Sequence, residues 1–139
     1  FVSVGPEPLD LRQLVDFVRE GSAGAIATFS GTTRDTFTVD GTTKKVLRLD
    51  YESYTPMAIL HLHRLMTTSR TQHPSLSKIA IAHRTGTVPV GEESVIIAAS
   101  SPHRRDALEA VGWMIDELKR TVPIWKKEVY EDGSVWKGN

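Results

Sequence analysis

Cysteine is absent from this 139-residue chain. That absence excludes a disulfide framework, a thiolate metal site and a cysteine nucleophile. Net charge is absent as well: seventeen basic side chains balance seventeen acidic ones. The chain therefore lacks the broad positive field of a general nucleic-acid binder, although a local basic pocket is compatible with neutrality. No apolar run has the length or purity of a membrane span, and nothing gives a positive sign of secretion, so a cytoplasmic protein is the expectation. There is no internal repeat, low-complexity tract or linker. The first residue is Phe1 rather than Met, which leads us to expect a missing or processed N-terminus.

What remains is the composition of an ordinary globular protein, 40% apolar and 24% charged, of a length that suits one domain over residues 1–139. Leu11, Leu14, Val15 and Val18 follow the i, i+3, i+4, i+7 spacing of an amphipathic helix, predicted over Leu9 to Glu20. Ala25 to Phe29 reads as a short buried strand. A polar stretch from Gly31 to Thr43 follows, with Asp40-Gly41 as its turn signal. Alternation in Lys45 to Tyr54 predicts a strand with one buried face. Thr55-Pro56, as N-cap and first helical residue, opens a predicted helix to about Gln72. Strands are expected at Ser77 to His83 and Ser94 to Ser100, joined through Gly86, Pro89 and Gly91. A third helix, from Pro102 to about Thr121 with Ser101 as N-cap, is broken by Pro123. Ile124 to Tyr130 and Val135-Trp136 then close a hairpin over Asp132-Gly133. The order predicts an α+β fold: one domain, a largely antiparallel sheet and three main helices.

The third helix opens with His103, Arg104 and Arg105. Cations there oppose the macrodipole, so local energetics disfavour them, while free backbone N–H groups already attract anions. An anion site and a solvated basic turn offset by Asp106 and Glu109 both fit, and spacing alone leans towards the second. Lys119 falls at the margin of the apolar face formed by Ala107, Val111, Met114 and Leu118. Taken alone, it reads as a cation complementing the helix C-terminus. On a strand, Lys126 and Glu128 share one face while Trp125 and Lys127 point the other way. Two neighbouring lysines depress each other's pKa and a glutamate pulls back, yet an exposed edge strand protected by lysines is equally consistent. Phe29-Ser30-Gly31-Thr32-Thr33-Arg34-Asp35 is a glycine-containing turn that could aim N–H groups and Arg34 at an anion, without the lysine of a nucleotide-binding loop. The five histidines show no metal signature: His61 and His63 do not share a helix face, and no His-Glu-x-x-His occurs. We expect neither a metal site nor a cofactor.

An ordered set of segments now matters more than any single one. Phe29-Ser30-Gly31-Thr32-Thr33-Arg34, Leu49-Asp50-Tyr51-Glu52-Ser53-Tyr54 with Met57-Ala58, and Ala82-His83-Arg84-Thr85-Gly86 come first. Val90-Gly91-Glu92, Ser100-Ser101-Pro102-His103-Arg104, and Leu118-Lys119 leading into Val122-Pro123-Ile124-Trp125-Lys126-Lys127-Glu128 follow. Together they resemble the MoaE family, the large subunits of molybdopterin synthase, over nearly the whole chain. The resemblance implies a homodimer in which each copy binds one small ubiquitin-like sulfur-carrier subunit, giving a heterotetramer. The carrier's C-terminal Gly-Gly thiocarboxylate would deliver sulfur to cyclic pyranopterin monophosphate to build the molybdopterin dithiolene. It implies Lys119 as catalytic residue with Lys126 in support, and Arg34, His103, Arg104, Lys127 and Glu128 as substrate-binding residues. A chain without cysteine fits a scheme in which sulfur arrives on the partner. The family's members often continue past the point where this chain stops, with a further tail.

Two other classes of protein are alternatives. One is a non-catalytic adaptor that docks a ubiquitin-like partner and binds an anionic ligand. The other is an RNA-binding α+β module suggested by His103-Arg104-Arg105, against which stand the zero net charge and the lack of an exposed aromatic–basic strand motif. A geometric expectation also follows. Arg104 and Lys119 are fifteen residues apart and thus roughly 22 Å apart along one continuous helix. His103 and Arg104 of one subunit are then expected to complete the pocket containing Lys119 of the other.

Overall fold

Alternating and buried apolar runs assemble into two sheets, described by a computed structural model for residues 1–138. The first sheet has the order β1-β5-β7-β2, formed by Val2–Gly5 (β1), Ala25–Thr32 (β2), Ile79–Arg84 (β5) and Glu93–Ser101 (β7). β7 pairs antiparallel with both neighbours, and β1 alone pairs parallel, onto β5. β5 and β7 are buried almost throughout, so both faces of the sheet must be covered. Helix α1 (Leu11–Val18) covers one face, setting Leu14 and Val18 on Ala80, Ala82, Ile96 and Ala98. Helices α2 (Thr55–Gln72) and α3 (Arg104–Thr121) cover the other, where Leu62, Ile79, Ile81, Ile97, Met114 and Leu118 share the main core. Each such side chain contributes about 1.5–3 kcal/mol by leaving water.

The second sheet, with order β3-β4-β8-β9, joins Thr36–Val39 (β3), Thr42–Ser53 (β4), Ile124–Tyr130 (β8) and Val135–Gly138 (β9). A short strand, Gly86–Pro89 (β6), pairs with β4 beside it. Asp40 and Gly41 both adopt positive φ, 51° and 75°, which is the two-residue hairpin turn that matches strand twist. The closing hairpin β8–β9 turns through Asp132 and Gly133, with Val129 opposite Val135. The architecture is α+β, with three helices and mostly antiparallel strands, as expected.

Differences from the expectation are local. β1 escaped notice because four residues give too short an alternation, and their partner lies far along the chain. β3 and β6 lie inside stretches that read as connections. The polar β3 is stabilised by its turn, and β6 is punctuated by Gly86 and Pro89, which an edge strand tolerates. Helix α1 is shorter at both ends than Leu9 to Glu20, starting where the Asp10 carboxylate accepts the Arg12 amide at 3.0 Å. Tyr54, not Thr55, is the N-cap of α2. Helix α3 begins at Arg104, with His103 as N-cap. Ser101 still serves that end, because its hydroxyl accepts the Ala107 amide at 3.1 Å. No helix among the described residues is long and apolar enough to cross a membrane.

Candidate active site

Where the two sheets meet the C-terminal end of α3, they enclose a cavity of about 340 Å³. β8 presents alternate residues to it: Ile124, Lys126 and Glu128 line the wall, while Trp125 and Lys127 fall on the opposite face. β4 adds Leu49 and Tyr51, β5 adds His83, and β7 adds Ser94 and Val95. Ile115, Leu118 and Lys119 come from the last turns of α3. Leu118 is held in the core, and Lys119, next along the helix, stands exposed at its margin.

Arg34 reaches the cavity from the loop joining β2 to β3. That loop is pinned on both sides of Arg34. The backbone of buried Thr33 exchanges hydrogen bonds with Glu92 and Gly91, at 3.1 and 2.9 Å, and the Asp35 carbonyl accepts the Val46 amide at 2.8 Å. A register shift between Gly31 and Thr32 turns the strand here. Gly31 is needed at this bend, since a Cβ would fall 2.8 Å from Val95 Cγ1. The Arg34 guanidinium lies 5.5 Å from the Phe37 ring centroid, a cation–π contact that limits its wandering.

Three cations, Arg34, Lys119 and Lys126, thus converge from a loop, a helix and a strand. One buried carboxylate stands among them. Glu128 is 6% exposed and accepts the Tyr130 hydroxyl at 2.9 Å. Burial lowers the Lys126 ammonium below the ordinary lysine range; Glu128 opposes that shift, and Lys119 and Arg34 add to it. The opposing pull of the glutamate is therefore present, and the neighbouring cations acting on Lys126 are Lys119 and Arg34 rather than Lys127, with desolvation the larger cause. The Lys126 ammonium also sits 5.6 Å from the Trp136 ring centroid. Such a cavity can neutralise a small anion, hold it out of bulk water and move a proton at Lys126.

Of the seven site residues expected from sequence, the cavity gathers four: Arg34, Lys119, Lys126 and Glu128. Lys127 lies on the far face of β8, in a recess with Asp50, Glu52, Trp125 and Lys137 that Lys126 also borders. His103 and Arg104 are exposed at the opposite end of α3, outside the cavity. Tyr51, His83 and Ser94 line it without having been singled out. The signal for His83 was a lone imidazole closing the apolar run Ile79-Ala80-Ile81-Ala82; a search for metal spacing could not register it. Elsewhere, His73, Asp106 and Glu109 bring ligand-type atoms within 4.8 Å of one another. Asp106 there accepts from Ser75 and faces His73 Nδ1 at 3.4 Å, while Glu109 pairs with Arg105. All three are engaged within the protein.

A cation-lined cavity between two sheets places this chain in the class of single-domain α+β proteins whose site can hold a small anion. This chain belongs to the MoaE family, whose model, described as MoaE protein, matches residues 4–121. It is 54% identical over 135 residues to a protein of Oryza sativa subsp. indica named molybdopterin synthase catalytic subunit, covering 97% of this chain and 67% of the rice protein. An Arabidopsis thaliana protein of the same name is 56% identical over 131 residues, covering 94% of this chain and 64% of the relative. The chain thus spans about two thirds of the length of these plant relatives. The crystal structure of molybdopterin synthase from Staphylococcus aureus superposes with a TM-score of 0.89 at 34% identity, covering 98% of this chain and 95% of the other.

Proposed function

We propose that this chain is the catalytic subunit of a molybdopterin synthase, a cytoplasmic sulfurtransferase. It would move sulfur from the C-terminal thiocarboxylate of a small ubiquitin-like carrier subunit to cyclic pyranopterin monophosphate, forming the molybdopterin dithiolene. The observation that carries this reading is the convergence of Arg34, Lys119 and Lys126 on one cavity beside buried Glu128. Both reactants are anionic, one through its cyclic phosphate and one through its thiocarboxylate. They can share a small cavity only where fixed cations offset their repulsion, and preorganised cations do so without reorganising during the reaction. Lys119 takes the charge-stabilising and proton-transferring role, with Lys126 in support; burial of Lys126 eases loss of its proton. The relatives' names speak of a catalytic subunit, which suits a chain whose sulfur arrives on a second subunit.

We assign the phosphate to His103 and Arg104 of a second copy of this chain, within a homodimer that carries one sulfur carrier per copy. Supporting this, α3 is continuous from Arg104 to Thr121, which sets its ends too far apart for one pterin to touch both, and the cavity includes Lys119 but neither His103 nor Arg104. Lys127 then has a supporting place on the outer face of β8.

The test is a single-turnover reaction of this chain with the carrier thiocarboxylate and cyclic pyranopterin monophosphate. Dithiolene product is expected. Tight carrier binding by the folded protein without product would overturn the enzyme reading in favour of an adaptor.

A further inference from the structure

One polar side chain in the cavity, His83, has no part in the proposed sulfur transfer. His83 ends the buried run of β5, is 4% exposed, and lines the cavity wall. It lies on the same strand face as Ile79 and Ile81 and opposite Val95 of β7. Its Nδ1 is 2.8 Å from the Arg84 carbonyl oxygen. A carbonyl can only accept, so Nδ1 carries the hydrogen and the neutral ring keeps its one in-plane lone pair on Nε2. Nε2 has no hydrogen-bond partner among the described residues. It is not sealed in the core either, because Ser69 Oγ is the one fully buried side-chain polar atom without a partner there. Its free side opens to the cavity.

The ring is fixed. Tyr51 meets it edge-on, with centroids 5.0 Å apart and planes at 72°. Burial lowers its pKa to about 4, against the Arg84 hydrogen bond and with the help of the Lys119 charge. The imidazole is therefore neutral in the physiological range. The charged groups of the cavity differ in kind, and Ser30, Thr32, Tyr51 and Ser94 bring hydroxyls, which can donate as well as accept. Arg34, Lys119 and Lys126 only donate and select anions. Ser94 donates to the Gly31 carbonyl at 3.3 Å, and Glu128 is engaged by Tyr130.

We propose that His83 Nε2 is a substrate contact, accepting a hydrogen bond from an N–H or O–H of an uncharged heterocycle seated in the cavity beside Arg34, Lys119 and Lys126. The proposal rests on the sulfur-transfer reading for the identity of that heterocycle, the reduced pterin ring system with its N–H groups. It adds a specificity element: a neutral acceptor, unmet in the protein, penalises a ligand that has no donor to offer.

The test uses full-length protein labelled with ¹⁵N-histidine, titrated with cyclic pyranopterin monophosphate. The Nε2 resonance of His83 should move from that of a free acceptor to that of a hydrogen-bonded one, while Nδ1 keeps its proton. In turnover with the carrier, His83→Phe should raise KM about tenfold, the loss of one neutral hydrogen bond, with kcat within about threefold. His83→Gln, which restores an acceptor near the Nε2 position, should recover most of the KM. An unmoved resonance at saturating ligand, an unchanged KM in His83→Phe, or a loss confined to kcat would overturn the assignment. The NMR arm needs no variant, so a misfolded mutant leaves it decisive. A moved resonance without dithiolene product would sink the sulfur-transfer reading and keep His83. Product without movement would do the reverse, and a protein that binds no pterin at all would lose both.

Discussion

At its C-terminal end, α3 presents Lys119 to a cavity that also holds Arg34 and Lys126; at its N-terminal end, His103 and Arg104 stand exposed outside it. The charges are alike and their settings are opposite. Lys119 complements the helix macrodipole, whereas cations in the first turn oppose it at a cost of about 0.3–1 kcal/mol. Asp106 in the same turn offsets part of that cost. A cation that local energetics favours needs no further explanation, so Lys119 gains its meaning only from the cavity. A cation that local energetics disfavours asks for a use, and nothing among the described residues of its own chain supplies one to Arg104. The lesson is that charge alone does not mark a site. What surrounds the charge, in this copy or the next, does.

Removing the favoured end should have the largest effect. Lys119→Ala is expected to slow single-turnover product formation at least ~100-fold, the scale of losing a preorganised charge at the reacting centre. Its thermal melt should stay near wild type, because Lys119 is exposed. Next comes the pair on β8, which sharpens the contrast between a cavity face and an outer face. Lys126→Ala should cost about 10- to 100-fold, and Lys127→Ala less than about threefold, both read in the same assay.

A third effect concerns stability. The folded pKa of His83, about 4, lies below its ordinary value of 6.5, so as pH falls the unfolded chain takes up the proton first. The stabilisation is complete above pH 6.5 and is lost as pH falls towards 4, an effect of roughly 3 kcal/mol. Urea unfolding at pH 7 and pH 4.5 should show this loss in wild type. His83→Gln should flatten that part of the profile; an equally steep profile would mean that other groups carry the acid sensitivity. Smaller still, Glu128→Gln should move the Lys126 pKa further down, because the one charge opposing its depression is gone. A lysine-resolved NMR titration reads the direction.

Much of this was legible in the residues. Helical spacing gave α1, α2 and α3 to within two residues at most ends, because apolar faces are written locally. Alternation placed Lys126 with Glu128 and apart from Lys127; only Lys126 and Glu128 line the cavity, although Lys126 also borders the recess that holds Lys127. β1 was not legible, since its pairing with β5 joins Val2 to Ile81 across most of the chain. The cavity itself was hidden for the same reason: its walls come from β2, β4, β5, β7, β8 and α3, and no local pattern reports their meeting. His83 illustrates the gap most clearly. Its identity was plain, but its use depends on a carbonyl that takes one nitrogen and a cavity that receives the other.

The assignment of the two ends of α3 to one site in trans is tested most directly by mixing variants. Lys119→Ala and Arg104→Ala copies, each inactive or impaired alone, are unfolded together, refolded and assayed with the carrier. If each cavity is completed by the neighbouring copy, a mixed dimer holds one site with both defects and one with none. Random pairing should then restore about a quarter of wild-type activity. Activity no higher than that of the separate variants would contradict the account, for it would mean that both ends serve the same chain or that Arg104 serves no site at all.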